Sequence, residues 1–189
     1  ILIAGALLLK RYGLPAANLA LYAWHPLAII EGVGSAHLEP IAVAFLVVAC
    51  RWLASAANGR AGAALAASVA AKLVALPLLL LLGLRSRRAA LAFALVLLAV
   101  YLPFSFDNAN AFGSLRIFTA TWESNASIYA LAAPFVGARD YRLLAAVALA
   151  GIVTLLAARR ATLNDGAFIF FLTFFLLSPV VHPWYLLWV

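Results

Sequence analysis

The chain has 189 residues, 68% of them hydrophobic and 10% charged, with a mean hydropathy of +1.10 and a net charge of +7. A soluble domain carries about 25% charged residues, and a soluble fold of this size could not hide so much apolar surface. Composition therefore excludes a soluble domain and leads to one transmembrane domain over residues 1–189.

The apolar runs in chain order are Ile1–Leu9, Ala17–Ile30, Ile41–Ala57, Ala61–Ala71, Leu73–Leu84, Ala89–Phe104, Leu143–Ala158 and Ala167–Leu177, and a ninth begins at Trp184. None alternates at period two over strand length, and helices are the other structure that spans a bilayer. The predicted fold is an all-α polytopic bundle of about 7–9 transmembrane helices. A bilayer core takes roughly 20 helical residues to cross, so several runs are expected to be short or re-entrant. The first and last runs ("ILIAGALLL", "WYLLWV") are cut in mid-pattern, which reads as an internal piece of a longer protein with no signal peptide to interpret.

The first polar stretch is "WHPLAIIEGVGSAHLEP", residues 24–40. Gly32 and Gly34 suit a turn or a close backbone approach, and Pro40 suits the first turn of the next helix. His37 could donate to a phosphate or a sugar hydroxyl, and Glu39 could accept from one. A polar turn satisfied by water fits the same spacing. His25, between Trp24 and Pro26, sits near a membrane boundary, where interfacial Trp and a helix-kinking Pro are ordinary.

The next run, "AGAALAASVAAKLVALPLLLLLG", carries a single charge, Lys72. As one straight helix it would place that ammonium near mid-bilayer, at roughly 2.5–3.5 kcal/mol. As a hairpin bent at Lys72, it leaves two arms too short to span. Short cytoplasmic loops are enriched in Lys and Arg. The hairpin puts nine basic residues on that side (Lys10, Arg11, Arg51, Arg60, Arg85, Arg87, Arg88, Arg159, Arg160) and four on the other (Lys72, Arg116, Arg139, Arg142). The straight helix gives seven against five with Lys72 buried, so the bias selects the hairpin. With it, Glu31, Glu39, Asp107, Glu123, Asp140 and all three histidines fall at or near the outer side, leaving Asp165 cytoplasmic. Arms that stop short are tolerated where protein or water covers their ends, which leads to a cavity open to that side. An ionisable group such as Lys72 within an apolar run is a functional candidate, suited to a lipid-linked phosphate; snorkelling to the surface is the plain alternative.

Residues 112–122 read as a short helix in the interface plane. "WESNASIY" then offers Trp122, Glu123, Asn125 and Tyr129, a ring to stack on a sugar and groups to bond its hydroxyls, or equally an ordinary amphipathic surface. Asn125-Ala126-Ser127 matches a glycosylation acceptor, set aside because the Ala/Arg-rich, Met-free composition looks bacterial. In "SPVVHPWY", Ser178, Pro179 and Pro183 break the helix and free His182 to line a cavity. The lone Cys50 forms no intrachain disulfide, and GxGxxG, P-loop, HExxH and CxxC patterns are absent. The basic residues lie in short clusters between apolar runs, which is topology and not a nucleic-acid footprint.

These stretches resemble a known family. "LYAWHPLAIIEGVGSAHLEPIAVAFLVVA" resembles the Trp-His/Asn-Pro and Gly-Ser-x-His-Asp/Glu segment of bacterial GT-C membrane glycosyltransferases, nearest to the polyprenyl-phosphate-mannose-dependent mannosyltransferases. "AGAALAASVAAKLVALPLLLLL" is similar to their small-residue half-helix, Lys and Leu-Pro return, and "FLLSPVVHPWYLLWV" to their late helix break, in the same order. The resemblance implies an integral enzyme of the bacterial inner membrane with its site facing the periplasm, serving cell-envelope glycan. It would transfer a hexose, mannose first, from a polyprenyl-phosphate donor to a glycan or lipid acceptor. Lys72 and His182 would lie at the donor phosphate, and His37, Glu39, Trp122 and Glu123 at the sugar or acceptor. The family's catalytic carboxylate lies in a first outer loop that would precede residue 1, so no catalytic residue is assigned and these 189 residues alone are expected to be inactive. The partners are the lipid-linked sugar as co-substrate, the acceptor and membrane lipid, with no nucleic acid, no cofactor and no metal site, although a divalent cation stays compatible with the reading. The alternative is a transporter or flippase of a lipid-linked or anionic solute, which also uses broken helices and a buried Lys; a subunit with no site would instead tolerate loss of Lys72 and His182.

Overall fold

The computed structural model describes residues 1–105 and 113–189, so Asp107 lies outside the described residues. Regular structure among the described residues is helical: α1 Leu2–Arg11, α2 Ala20–Ala23, α3 Pro26–Ile29, α4 Glu39–Ala54, α5 Asn58–Ala71, α6 Leu78–Gly83, α7 Arg87–Ser105, α8 Gly113–Thr121, α9 Ile128–Val136, α10 Ala138–Ala158 and α11 Leu163–Leu177. One isolated parallel bridge joins Ser124 and Val180. Among the described residues, two helices are long and apolar enough to cross a membrane, over Arg87–Phe104 and Ala138–Ala158. Only 11% and 22% of those stretches is buried, unlike the core helices of a soluble protein. Their outward faces show Leu91, Leu95 and Leu98 on α7 and Leu143, Leu144 and Val147 on α10.

The run 17–30 does not form the single helix its composition suggests. It divides into a 3-10 turn at Ala16–Leu19 and the four-residue helices α2 and α3. Pro26 is the physical cause: it pushes His25 into an extended conformation, and the His25 side chain caps the new turn by accepting from the Leu27 amide at 3.3 Å. A π-turn over Ile30–Gly34 follows, and the chain restarts as a helix at Glu39 with Pro40 in its first turn. The last run likewise continues as a 3-10 segment, Pro183–Trp188.

The packing defines two ends. Helices α4 and α5 form an antiparallel pair through the turn at residues 55–57, and the buried Ser68 hydroxyl donates to the Ala42 carbonyl at 2.8 Å. α5 then packs on α7, with Gly62, near the start of α5, against the backbone of Ala89, near the start of α7. Two helices that begin side by side require the chain between them to return along the bundle. Residues 72–86 make that return. Lys72 is extended (φ −156°, ψ 117°), a 3-10 turn covers Leu73–Ala75, and α6 completes the path. Fifteen residues at about 1.5 Å each match the about 21 Å of α5. Arg85 closes the return by donating to the carbonyls of Arg160 and Ala161 at 2.6 and 2.7 Å. The expected doubling back at Lys72 is therefore the path the chain takes. One end of the bundle gathers the basic loops; the other gathers Glu39, Lys72 and the end of α11, where Tyr141 donates to the Leu177 carbonyl at 3.2 Å.

The α5–α7 contact makes a test. A Cβ at Gly62 would collide with the Ala89 carbonyl, a backbone atom that no rotamer change can move away. Gly62→Leu is expected to destabilise by about 3 kcal/mol, at the upper end of overpacking costs. Gly59→Leu, where a Cβ meets nothing within 4 Å, should leave the melting temperature in detergent near that of the parent.

Candidate functional site

The site is built where three breaks in helical structure meet. The first is the Gly-rich turn before α4, which carries Glu31 and His37; the second is the extended Lys72 between α5 and the 3-10 turn. The third is the segment after α11, where Ser178 shapes the chain by donating to the Val180 carbonyl at 2.7 Å and accepting from the Val180 amide at 3.1 Å. His182 is extended there and precedes the Pro183–Trp188 turn.

Lys72 Nζ donates to Glu39 Oε1, and its ammonium lies 4.1 Å from the centre of the Tyr185 ring. Glu39 is 2% exposed. A carboxylate so buried needs a partner to stay ionised, and Lys72 supplies it, helped by the position of Glu39 in the first turn of α4. Tyr185 lies edge-on to His182 at 5.3 Å. His182 stacks on Trp184 at 4.6 Å and 14°, and His37 stacks on Trp184 at 3.9 Å and 18°. His37 Nε2 is 3.3 Å from Glu31 Oε2. A continuous chain of contacts thus runs Glu31–His37–Trp184–His182–Tyr185–Lys72–Glu39. Four sequence-predicted residues (His37, Glu39, Lys72, His182) fall in it. Glu31, Trp184 and Tyr185 complete it; the latter two adjoin His182 in "SPVVHPWY" and were visible there as aromatic neighbours. His25 stays outside, capping α3.

Trp122 and Glu123 belong to a neighbouring group. Glu123 Oε1 accepts from the Tyr129 hydroxyl and from Arg142 Nη2, the latter at 3.3 Å. The segment is tied to the one before His182: the Ser124 amide donates to the Pro179 carbonyl at 3.0 Å, and the Val181 amide to the Ser124 carbonyl at 2.7 Å. Asn125, at φ +49°, donates to the Val181 carbonyl at 3.1 Å. Glu123, Ser124, Asn125 and Tyr129 border a shallow pocket of about 400 Å³. Trp122 is half exposed and its ring meets Phe118 at 5.3 Å.

A larger cavity of about 670 Å³ lies between the 72–80 return, α8, α10 and α11, with walls of aliphatic and aromatic side chains such as Leu76, Leu80, Phe118, Leu149 and Phe174. Among the described residues that line it, Lys72 is the one charged residue, and Tyr185 and Ser178 lie in the same wall. An ammonium in the wall of an apolar cavity suits an amphiphile with an anionic end. Among the described residues, no group of three or more His, Cys, Asp or Glu side chains is placed to hold a metal ion.

Burial first, then the positive charge of Lys72 and the neighbouring His37 ring, holds the His182 imidazole below its usual range, so the neutral form prevails at pH 7. In the unfolded chain it takes a proton near pH 6.5. Between that value and the lower folded one, the unfolded state binds more protons, so acidification lowers stability in that window. His182→Gln is expected to flatten the fall in melting temperature below pH 6.5; an unchanged slope would assign it to another group.

The chain matches no family model, no curated protein and no solved structure.

Proposed function

We propose that the chain carries donor-phosphate and sugar-binding groups of a membrane glycosyltransferase. It would move a hexose, mannose first, from a polyprenyl phosphate to a glycan or lipid acceptor on the extracytoplasmic face of a bacterial inner membrane, within a GT-C-like bundle of about 7–9 helices. The observation that carries this reading is Lys72, a cation in the wall of an apolar cavity and one residue contact away from the neutral His182. An isoprenoid chain fits the cavity's apolar walls, and its phosphate suits the end where Lys72 lies. The ammonium has three N–H donors; Glu39 takes one, which leaves donor capacity for a phosphate oxygen.

In the reaction an acceptor hydroxyl loses its proton to a base, its oxygen bonds to the sugar's anomeric carbon, and the bond from that carbon to the phosphate oxygen breaks. Negative charge then grows on the departing polyprenyl phosphate, where Lys72 and a proton on His182 stabilise it. Glu123, Asn125 and Tyr129, linked to His182 through the Ser124–Val181 bonds, offer hydroxyl-binding groups for the sugar or acceptor. Glu39, buried on Lys72, acts on this reading through Lys72 and not by touching sugar.

The test uses the intact protein in liposomes with polyprenyl-phosphate mannose labelled in the sugar. Label appearing in glycan or lipid acceptor, lost in the His182→Ala variant, supports the reading. Label crossing the membrane with the sugar–phosphate bond intact would establish the transporter instead.

A further inference from the structure

The end of the bundle opposite Lys72 poses a separate electrostatic question. None of its Lys and Arg side chains forms an ion pair among the described residues. The acid beside them, Asp165, accepts from the Thr162 hydroxyl. Two of the cations converge. Arg11, at the end of α1, donates through Nε to the Ala54 carbonyl at 3.3 Å. Arg51, one turn from the end of α4, donates through Nη1 to the Ser55 hydroxyl. Two guanidinium groups from different helices therefore bond consecutive residues, Ala54 at the end of α4 and Ser55 just after it. The Nε–H of Arg51 is buried there without a hydrogen-bond partner. Arg11 spends its Nε on Ala54 and keeps its outer N–H groups.

Like charges brought together repel, and a buried donor without an acceptor costs about 1–3 kcal/mol. An anion with several oxygens would relieve both. The surface leading to the pair gives the rest of that ligand's chemistry. Ile3, Leu7 and Arg11 recur every four residues and share one face of α1. Ile3 is 80% and Leu7 47% exposed. An apolar stripe that ends in a cation is the complement of an acyl chain that ends in a phosphate.

We propose that Arg11 and Arg51 form a binding site for the phosphate of an anionic phospholipid, with an acyl chain lying along the Ile3–Leu7 face of α1. The site is independent of the glycosyltransferase reading, because it lies at the other end of the bundle and uses none of the same residues.

The experiment exposes the intact protein in neutral detergent to phosphatidylglycerol, phosphatidylcholine or inorganic phosphate, and measures retained lipid and the shift in melting temperature. Phosphatidylglycerol should be retained and should raise the melting temperature, with phosphatidylcholine and inorganic phosphate doing neither. Arg11→Gln with Arg51→Gln should weaken retention by on the order of tenfold or more, whereas Arg87→Gln with Arg88→Gln should leave it near the parent value. Arg11→Gln alone changes an exposed side chain, so its partial loss reads the site even if the double variant folds poorly. Equal retention by parent and Arg11/Arg51 variants, equal loss in the Arg87/Arg88 control, or an equal shift with inorganic phosphate would overturn the assignment.

Discussion

Lys72→Ala is expected to destabilise the protein by about 3 kcal/mol, the lower end of the range for breaking a buried pair, and adding Glu39→Gln should restore most of the loss. The asymmetry follows from burial. The side chain of Lys72 is 29% exposed and that of Glu39 only 3%, so removing the cation strands a carboxylate that water cannot reach. Removing the carboxylate leaves an ammonium that still meets Tyr185 and, in part, solvent. Glu39→Gln alone should therefore cost less than Lys72→Ala alone. A thermal or denaturant series of the two single variants and the double variant in one detergent measures the coupling. Equal losses that simply add would mean that the pair is not what holds the two breaks together.

The second large effect is kinetic. In the intact protein, His182→Ala is expected to lower the turnover of sugar transfer on the order of 10²–10³-fold, the usual cost of losing one donor aimed at developing charge. The Michaelis constant for the lipid donor should change much less, because the bond gains strength as the phosphate departs. Trp184→Leu separates positioning from chemistry. It removes the ring between His37 and His182 and leaves both imidazoles, so it should lower turnover by less and shift the acid limb of the pH profile. Unchanged turnover in His182→Ala would remove this histidine from the reaction.

Much of this arrangement is written locally in the chain. The count of Lys and Arg between apolar runs was enough to show the return at Lys72, because a bilayer sorts short loops by charge. The helix-breaking residues around His37 and His182 marked two of the three segments that meet. What could not be read is non-local. Nothing in the spacing of Glu39 and Lys72, 33 positions apart, shows that they pair, since that requires α4 and α5 to be antiparallel with Ser68 on Ala42. The pairing of residues 124–125 with 179–181 has the same origin: a single bridge carries no period. The division of residues 17–30 was legible only in Pro26, whose effect on the preceding residue the high apolar content of the run outweighed.

Side-specific labelling tests most directly whether the chain's return at Lys72 separates a basic end from the end that holds the site. In a Cys50→Ala background, Ser35→Cys should react with a membrane-impermeant maleimide added to intact cells, and Arg87→Cys should react only after permeabilisation. Labelling of both positions from the same side would contradict that separation.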